Sequence, residues 1–99
     1  MDVSYRIIHG PFEMEAASME SELATKATTE LERLTRIGFG ETQMALDLAI
    51  EARSRLKKCC LLLLRTGMPG ATETVNRGRK TIRELDELIL NIKHARGEA

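Results

Sequence analysis

The candidate metal ligands in the sequence are His9, Cys59, Cys60, His94 and the carboxylates, and the two cysteines are also candidate nucleophiles. No pair of them has the spacing of a zinc site, because the chain contains no CxxC, HxxxH or ExxH pattern. The two histidines lie near opposite ends of the chain. We therefore predict no metal site, and we interpret both histidines as solvated surface residues.

The two cysteines are adjacent, and neighbours on a helix point about 100° apart, so Cys59 and Cys60 are poorly placed to form a disulfide with each other. Basic residues precede them and favour a reactive thiolate. The apolar run Leu61–Leu64 follows them, however, and free cysteine is among the most commonly buried residue types. We predict that at least one of the two is a core residue and that the chain works in a reducing, cytoplasmic compartment.

Two glycine-containing segments resemble phosphate-binding loops only superficially. Gly38-Phe39-Gly40 follows a predicted helix rather than a strand, and Gly67-Met68-Pro69-Gly70 lacks the Lys-Ser/Thr pair of a P-loop. No acid–base pair or nucleophile triad accompanies them. We interpret both segments as turns and predict no cofactor and no enzymatic activity.

Basic residues on both sides of the second turn form a candidate phosphate-binding cluster. Its members are Arg53, Lys57, Lys58, Arg77, Arg79, Lys80 and Arg83. If the flanking helices are antiparallel, these charges share one end of the molecule and attract nucleic acid. The sequence pI of about 6.7 and an aromatic content of 3% weigh against this function. A nucleic-acid-binding regulator is therefore the alternative prediction, and a solvated basic face is the favoured interpretation.

The charges are unevenly distributed along the chain, although the net charge is zero. Residues 1–50 contain nine acidic and four basic side chains, whereas residues 51–99 contain six acidic and eleven basic ones. We interpret this asymmetry as an acidic first helix lying beside a basic second and third helix.

Apolar residues exceed what one buried stripe per helix requires. Those off the main stripes are Leu46, Ile50, Leu61, Leu62 and Leu90. In a small helical protein such a surplus indicates an interface, and self-association is the simplest form of it. The predicted interface residues are Leu61, Leu62, Ile82, Leu85, Leu88, Ile89 and Ile92. We expect a Leu85→Asp/Ile89→Asp double substitution to separate the associated copies.

Three predicted helices position these residues, at about 11–37, 41–65 and 71–95, with glycine and proline between them. The first helix has an apolar stripe at Phe12, Ala16, Met19, Leu23, Ala27, Leu31, Leu34 and Ile37. The third has a heptad seam typical of coiled coils at Val75, Gly78, Ile82, Leu85, Ile89 and Ile92. The short connections make neighbouring helices antiparallel.

The sequence thus predicts a single all-α domain, either an antiparallel three-helix bundle or an extended helical hairpin plus a third helix. A short extended N-terminal arm is expected at residues 1–10. The densest apolar run, Cys59–Leu64, is too short to cross a membrane, and the first ten residues do not resemble a signal peptide. The predicted function is a non-enzymatic protein–protein interaction module, such as a small adaptor, chaperone or assembly subunit, that binds a protein partner and self-associates.

Overall fold

The computed structural model describes residues 3–98, with side chains described from Phe12 onward. It contains three helices, α1 (Val3–Arg36), α2 (Gln43–Thr66) and α3 (Ala71–Ala95). The bundle is elongated, with extents of 55 × 19 × 18 Å. The described residues contain no strand, which confirms the predicted all-α, three-helix fold.

The first helix begins earlier than predicted. Residues 3–10 are helical and continuous with the rest of α1, so the prediction of an extended arm is wrong over these residues. Residues 1 and 2, also assigned to the arm, lie outside the described residues. Helix α1 continues through Gly10-Pro11, although the proline removes one backbone hydrogen-bond donor.

Glycines and one threonine set the other helix ends. Gly38 follows α1 with a φ of 89°, the left-handed conformation expected of a glycine after a helix. Thr42 caps the start of α2, because its hydroxyl oxygen accepts a hydrogen bond from the Ala45 backbone N–H at 3.2 Å. Gly67 ends α2 with a φ of 63°. The turns predicted from the glycines are therefore confirmed, and α2 begins two residues later than expected.

Helix α2 is the central helix. It packs against both α1 and α3, whereas the backbones of α1 and α3 do not approach each other along the described residues. Ala45, Ala49 and Ala52 of α2 are completely buried. Small side chains at these positions allow the neighbouring helices to lie close to α2.

The buried leucine and isoleucine side chains of the described residues lie in only one half of the bundle. We call the half formed by residues 24–54 and 83–98 the closed end, and the half formed by residues 12–23, 55–68 and 71–82 the open end. Both clusters of buried apolar residues lie in the closed end. Six leucine or isoleucine side chains are buried there, namely Leu31, Leu34, Leu46, Leu85, Ile89 and Ile92. No leucine or isoleucine of the open end is fully buried.

The apolar stripe of α1 lies one position away from the prediction in the open end. Glu13 and Ala17 face α2, whereas Phe12 and Met19 are exposed. Helix α1 approaches α2 closely through small residues such as Ala17. The larger apolar residues, which the sequence predicted to be buried, lie on a neighbouring face of α1. Further along α1 the predicted residues Ala27, Leu31 and Leu34 are buried, and Ile37 is exposed.

The heptad seam of α3 packs against α2 of the same chain. Val75, Leu85, Ile89 and Ile92 are buried on this side of α3. Gly78 allows the close approach expected of it, since a Cβ atom added there would lie 2.7 Å from the Cys60 Sγ. The seam is therefore explained by packing within one chain.

Candidate interaction surface

The residues predicted as an interface divide into two groups. Leu85, Ile89 and Ile92 lie in the core of the closed end, and Leu88 packs against the same core. In this conformation the three buried residues are not accessible to a second chain. The remaining three residues lie in the open end, where Leu61 is 56% exposed and Leu62 and Ile82 are half-buried.

Exposed large apolar side chains concentrate at the open end. They are Phe12, Met14, Met19, Leu61, Leu64 and Met68. An ion pair between Arg55 and Glu20, with an N–O distance of 3.2 Å, sets the antiparallel register of α1 and α2 here. In this register Phe12 and Met19 lie at the same level of the bundle as the second half of α2.

Leu61 forms a ridge between two shallow crevices. On one side, a crevice of about 220 Å³ between α1 and α2 is lined by Glu20, Lys58, Leu61, Leu62 and Arg65. On the other side, a crevice of about 400 Å³ between α2 and α3 is lined by Lys57, Cys60, Leu61, Leu64, Arg79 and Ile82. The open end therefore presents leucine side chains with basic groups at their edges.

The candidate phosphate-binding cluster is divided by the fold. Arg53 forms an ion pair with Asp86 at 2.9 Å, and Arg77 forms one with Glu73 at 3.0 Å. Lys57 and Arg79 line the α2–α3 crevice, whereas Lys58 lines the α1–α2 crevice. The remaining two members, Lys80 and Arg83, are exposed on α3. The structure thus places Lys58 on the α1 side of α2, apart from the members that lie on α3 or face it, and pairs two members with acidic residues.

A groove that the sequence did not predict runs between α1 and α3. Its volume is about 560 Å³, and Leu31, Leu85 and Leu88 contribute its apolar lining. The rims carry hydroxyl and carboxylate groups, including Thr28, Thr35, Glu32 and Glu84. The residues on its rims are polar and do not form an apolar helical pattern. The sequence therefore could not predict this groove.

The cysteines have environments that disfavour the thiolate. Cys59 is buried and Cys60 half-buried, which confirms that at least one of them is a core residue. Burial raises the pKa of both thiols above the ordinary value of 9.0. Cys60 and Glu20 raise the pKa of Cys59 further, whereas Arg79 acts in the opposite direction on the pKa of Cys60. Neither thiol has the environment of an activated nucleophile.

We expect both thiols to react more slowly with iodoacetamide at neutral pH than the same thiols in the unfolded chain, because burial raises the pKa of each thiol. The rate should rise as the pH increases beyond 9, because the raised pKa delays thiolate formation. The free energy of unfolding should fall in the same range, since the unfolded thiols ionise first. Mass spectrometry of alkylation across pH, with the chain in guanidinium as the control, checks this; equal rates in the two states would contradict it.

No metal or membrane feature is found in the part of the chain with described side chains. Residues 12–98 contain no group of three or more potential ligands that could hold a metal ion. His94 is exposed, and the side chain of His9 lies outside the described residues. Among the described helices, none has the length and apolar character needed to cross a membrane.

These features define the chain as an antiparallel three-helix bundle with an incompletely covered end. Comparison with protein-family models finds no match, and comparisons with curated proteins and with solved structures find no significant match.

Proposed function

We propose that this chain is a non-enzymatic protein–protein interaction module, of the adaptor, chaperone or assembly-subunit kind, and that it acts through the open end. One observation carries the proposal: the closed end buries six leucine and isoleucine side chains, whereas the open end buries none. The apolar residues of the open end are left exposed by the described part of the chain, and they gain burial when a partner covers them.

The expected gain is large enough to matter for binding. Complete burial of one leucine or phenylalanine side chain contributes about 1.5–3 kcal/mol. The exposed fraction is between about two fifths and two thirds for each of Phe12, Met19, Leu61 and Leu64. Burying all four in a complex therefore contributes several kcal/mol. Association costs at least about 4 kcal/mol in lost translational and rotational freedom, which a group of such residues offsets and a single residue does not.

Exposed apolar residues also occur at the closed end, where they do not support the same conclusion. They are Ile37, Phe39, Met44 and Leu90. They lie in the half of the bundle that has the buried leucine and isoleucine core, and exposed apolar residues are normal on the surface of monomeric proteins.

The proposal is tested by Leu61→Asp. A charge on the ridge between the two crevices should weaken association by about tenfold or more, since it places an unpaired carboxylate in an apolar contact. The matched control is Leu90→Asp, because Leu90 is similarly exposed at 52% but lies over the closed end. Sedimentation equilibrium of the pure chain, and binding of reconstituted partners identified by pull-down, provide the measurements. Equal association by Leu61→Asp and the wild-type chain would contradict the proposal.

Nucleic-acid binding is less well supported as an alternative. The ion pairs of Arg53 and Arg77, together with the separation of Lys57 from Lys58, leave no continuous basic face formed by the whole cluster. Affinity for nucleic acid that falls steeply with salt would revive this alternative.

A further inference from the structure

We propose that the open end binds a second copy of this chain, with α1 of each copy lying on α2 of the other. This inference rests on the proposed function and specifies its partner. Two exposed surfaces of the open end, one on α1 and one on α2, carry opposite charges.

The first surface is a row on α1 that alternates apolar and acidic residues. Phe12, Glu15, Met19 and Glu22 are spaced by three and four, so they share one face of the helix. All four are exposed. Glu15 and Glu22 form no ion pair with any residue in the 12–98 segment. We call this row the acidic row.

The second surface is a row on α2 with the opposite charge. Lys58, Leu61, Leu62 and Arg65 share one helical face and line the α1–α2 crevice. Lys58 and Arg65 are exposed and form no ion pair with any described side chain. We call this row the basic row. Each row thus has exposed apolar groups flanked by charges that form no ion pair with the described side chains.

The two rows overlap when the copies are related by a two-fold axis parallel to the helices: Glu15 falls within the levels of the basic row, and Glu22 lies about 7.5 Å along the axis beyond Lys58. Such a rotation leaves the level along the bundle unchanged and places α1 of one copy on α2 of the other. Because Glu20 pairs with Arg55 within the chain, Glu15 lies level with about Cys60. Glu15 of one copy therefore reaches the level between Lys58 and Arg65 of the other.

The alternative two-fold arrangement is disfavoured by charge. An axis perpendicular to the helices and lying in the plane of the contact places α1 on α1 and α2 on α2. The acidic rows then face each other, as do the basic rows, and like charges in a contact oppose association. The same surfaces therefore select one arrangement of the dimer.

The test is a charge exchange between the rows. One variant carries Glu15→Lys and Glu22→Lys, and a second carries Lys58→Glu and Arg65→Glu. In the proposed dimer each variant alone places like charges against each other, so we expect self-association about tenfold weaker than in the wild-type chain. An equimolar mixture restores opposite charges at both contacts, and its heterodimer should associate within roughly threefold of the wild-type affinity.

A matched control has the same change in charge away from the two rows. Glu32→Lys/Glu84→Lys places its substitutions on the rims of the α1–α3 groove and should leave dimerisation unchanged. Circular dichroism and thermal melts establish that each variant is folded. If a double variant is unfolded, the single substitutions Glu15→Lys and Arg65→Glu replace it in the same mixing experiment.

The outcomes separate this inference from the proposed function. Weak self-association of each variant, with recovery in the mixture, supports the dimer. The dimer is overturned if each charge variant measured alone self-associates as strongly as the wild-type chain. It is also overturned if mixing the two variants restores no association. A wild-type chain that stays monomeric but binds a different protein in a Leu61-dependent way overturns the dimer and leaves the proposed function standing. A monomeric chain with no Leu61-dependent partner overturns both.

Discussion

The Leu85→Asp/Ile89→Asp double variant is expected to be unfolded at room temperature rather than to be a folded, dissociated chain. Leu85 and Ile89 are only 6% and 4% exposed and lie in the two clusters of the closed end. Burying a carboxylate without a partner costs several kcal/mol, or the fold must open to hydrate it. Two such groups approach or exceed the total stability of about 5–15 kcal/mol typical of a domain.

Helical circular dichroism and a urea titration measure this effect. The double variant should lose most of its helical signal and show no cooperative unfolding transition. Leu61→Asp is the comparison, because it introduces the same side chain at an exposed leucine and should unfold close to the wild-type midpoint. A double variant with full helicity and a cooperative transition would show that the α3 seam is not a core element.

This result would show whether the heptad pattern in α3 reflects packing within the chain or a contact between two copies. A spacing of three and four shows that one face of a helix is covered, but it does not show which helix covers it. The sequence predicted a contact between copies through Leu85, Ile89 and Ile92, whereas the structure covers these residues with α2 and α1 of the same chain. Only Leu61, Leu62, Ile82 and Leu88 of the predicted interface remain at least partly exposed.

The helices and turns could be predicted because their signals are local. Gly38 and Gly67 have positive φ angles, and glycine adopts this conformation without a steric cost. The position of the buried face of α1 could not be predicted in the same way. Its stripe was assigned from large residues such as Phe12 and Met19, while the close contact with α2 uses Ala17 and its neighbours. A hydrophobic pattern assigns large apolar residues to the buried face, whereas two helices that pack closely bury small residues between them.

The basic cluster shows the same limit for charges. The sequence placed it at one end of an antiparallel pair of helices. It could not show that Lys57 and Lys58 line different crevices, although adjacent residues on a helix point about 100° apart. The ion pair of Arg53 with Asp86 joins residues far apart in sequence, so its partner depends on the register of α2 against α3.

The second large effect is expected for Ala49→Leu, which should destabilise the fold by about 2–3 kcal/mol. Ala49 is completely buried in the central helix, in a cluster with Leu31, Leu46 and Ile89. A larger side chain there has no solvent-facing direction available, so α1 or α3 must move away from α2. In a domain of this size the loss corresponds to a melting temperature lower by roughly 10–20 °C, measured by a thermal melt.

Ala95→Leu provides the control, since Ala95 is exposed at the end of α3 and the added atoms meet solvent there. It should melt within about 2 °C of the wild-type chain, because surface substitutions usually change stability by no more than about 0.5 kcal/mol. The comparison isolates packing from helix propensity, as both substitutions exchange alanine for leucine within a helix. A melting temperature of Ala49→Leu equal to that of the wild-type chain would contradict this prediction. The three helices would then not be held together by close contact at the alanines of α2, and the distinction between the closed end and the open end would not be supported.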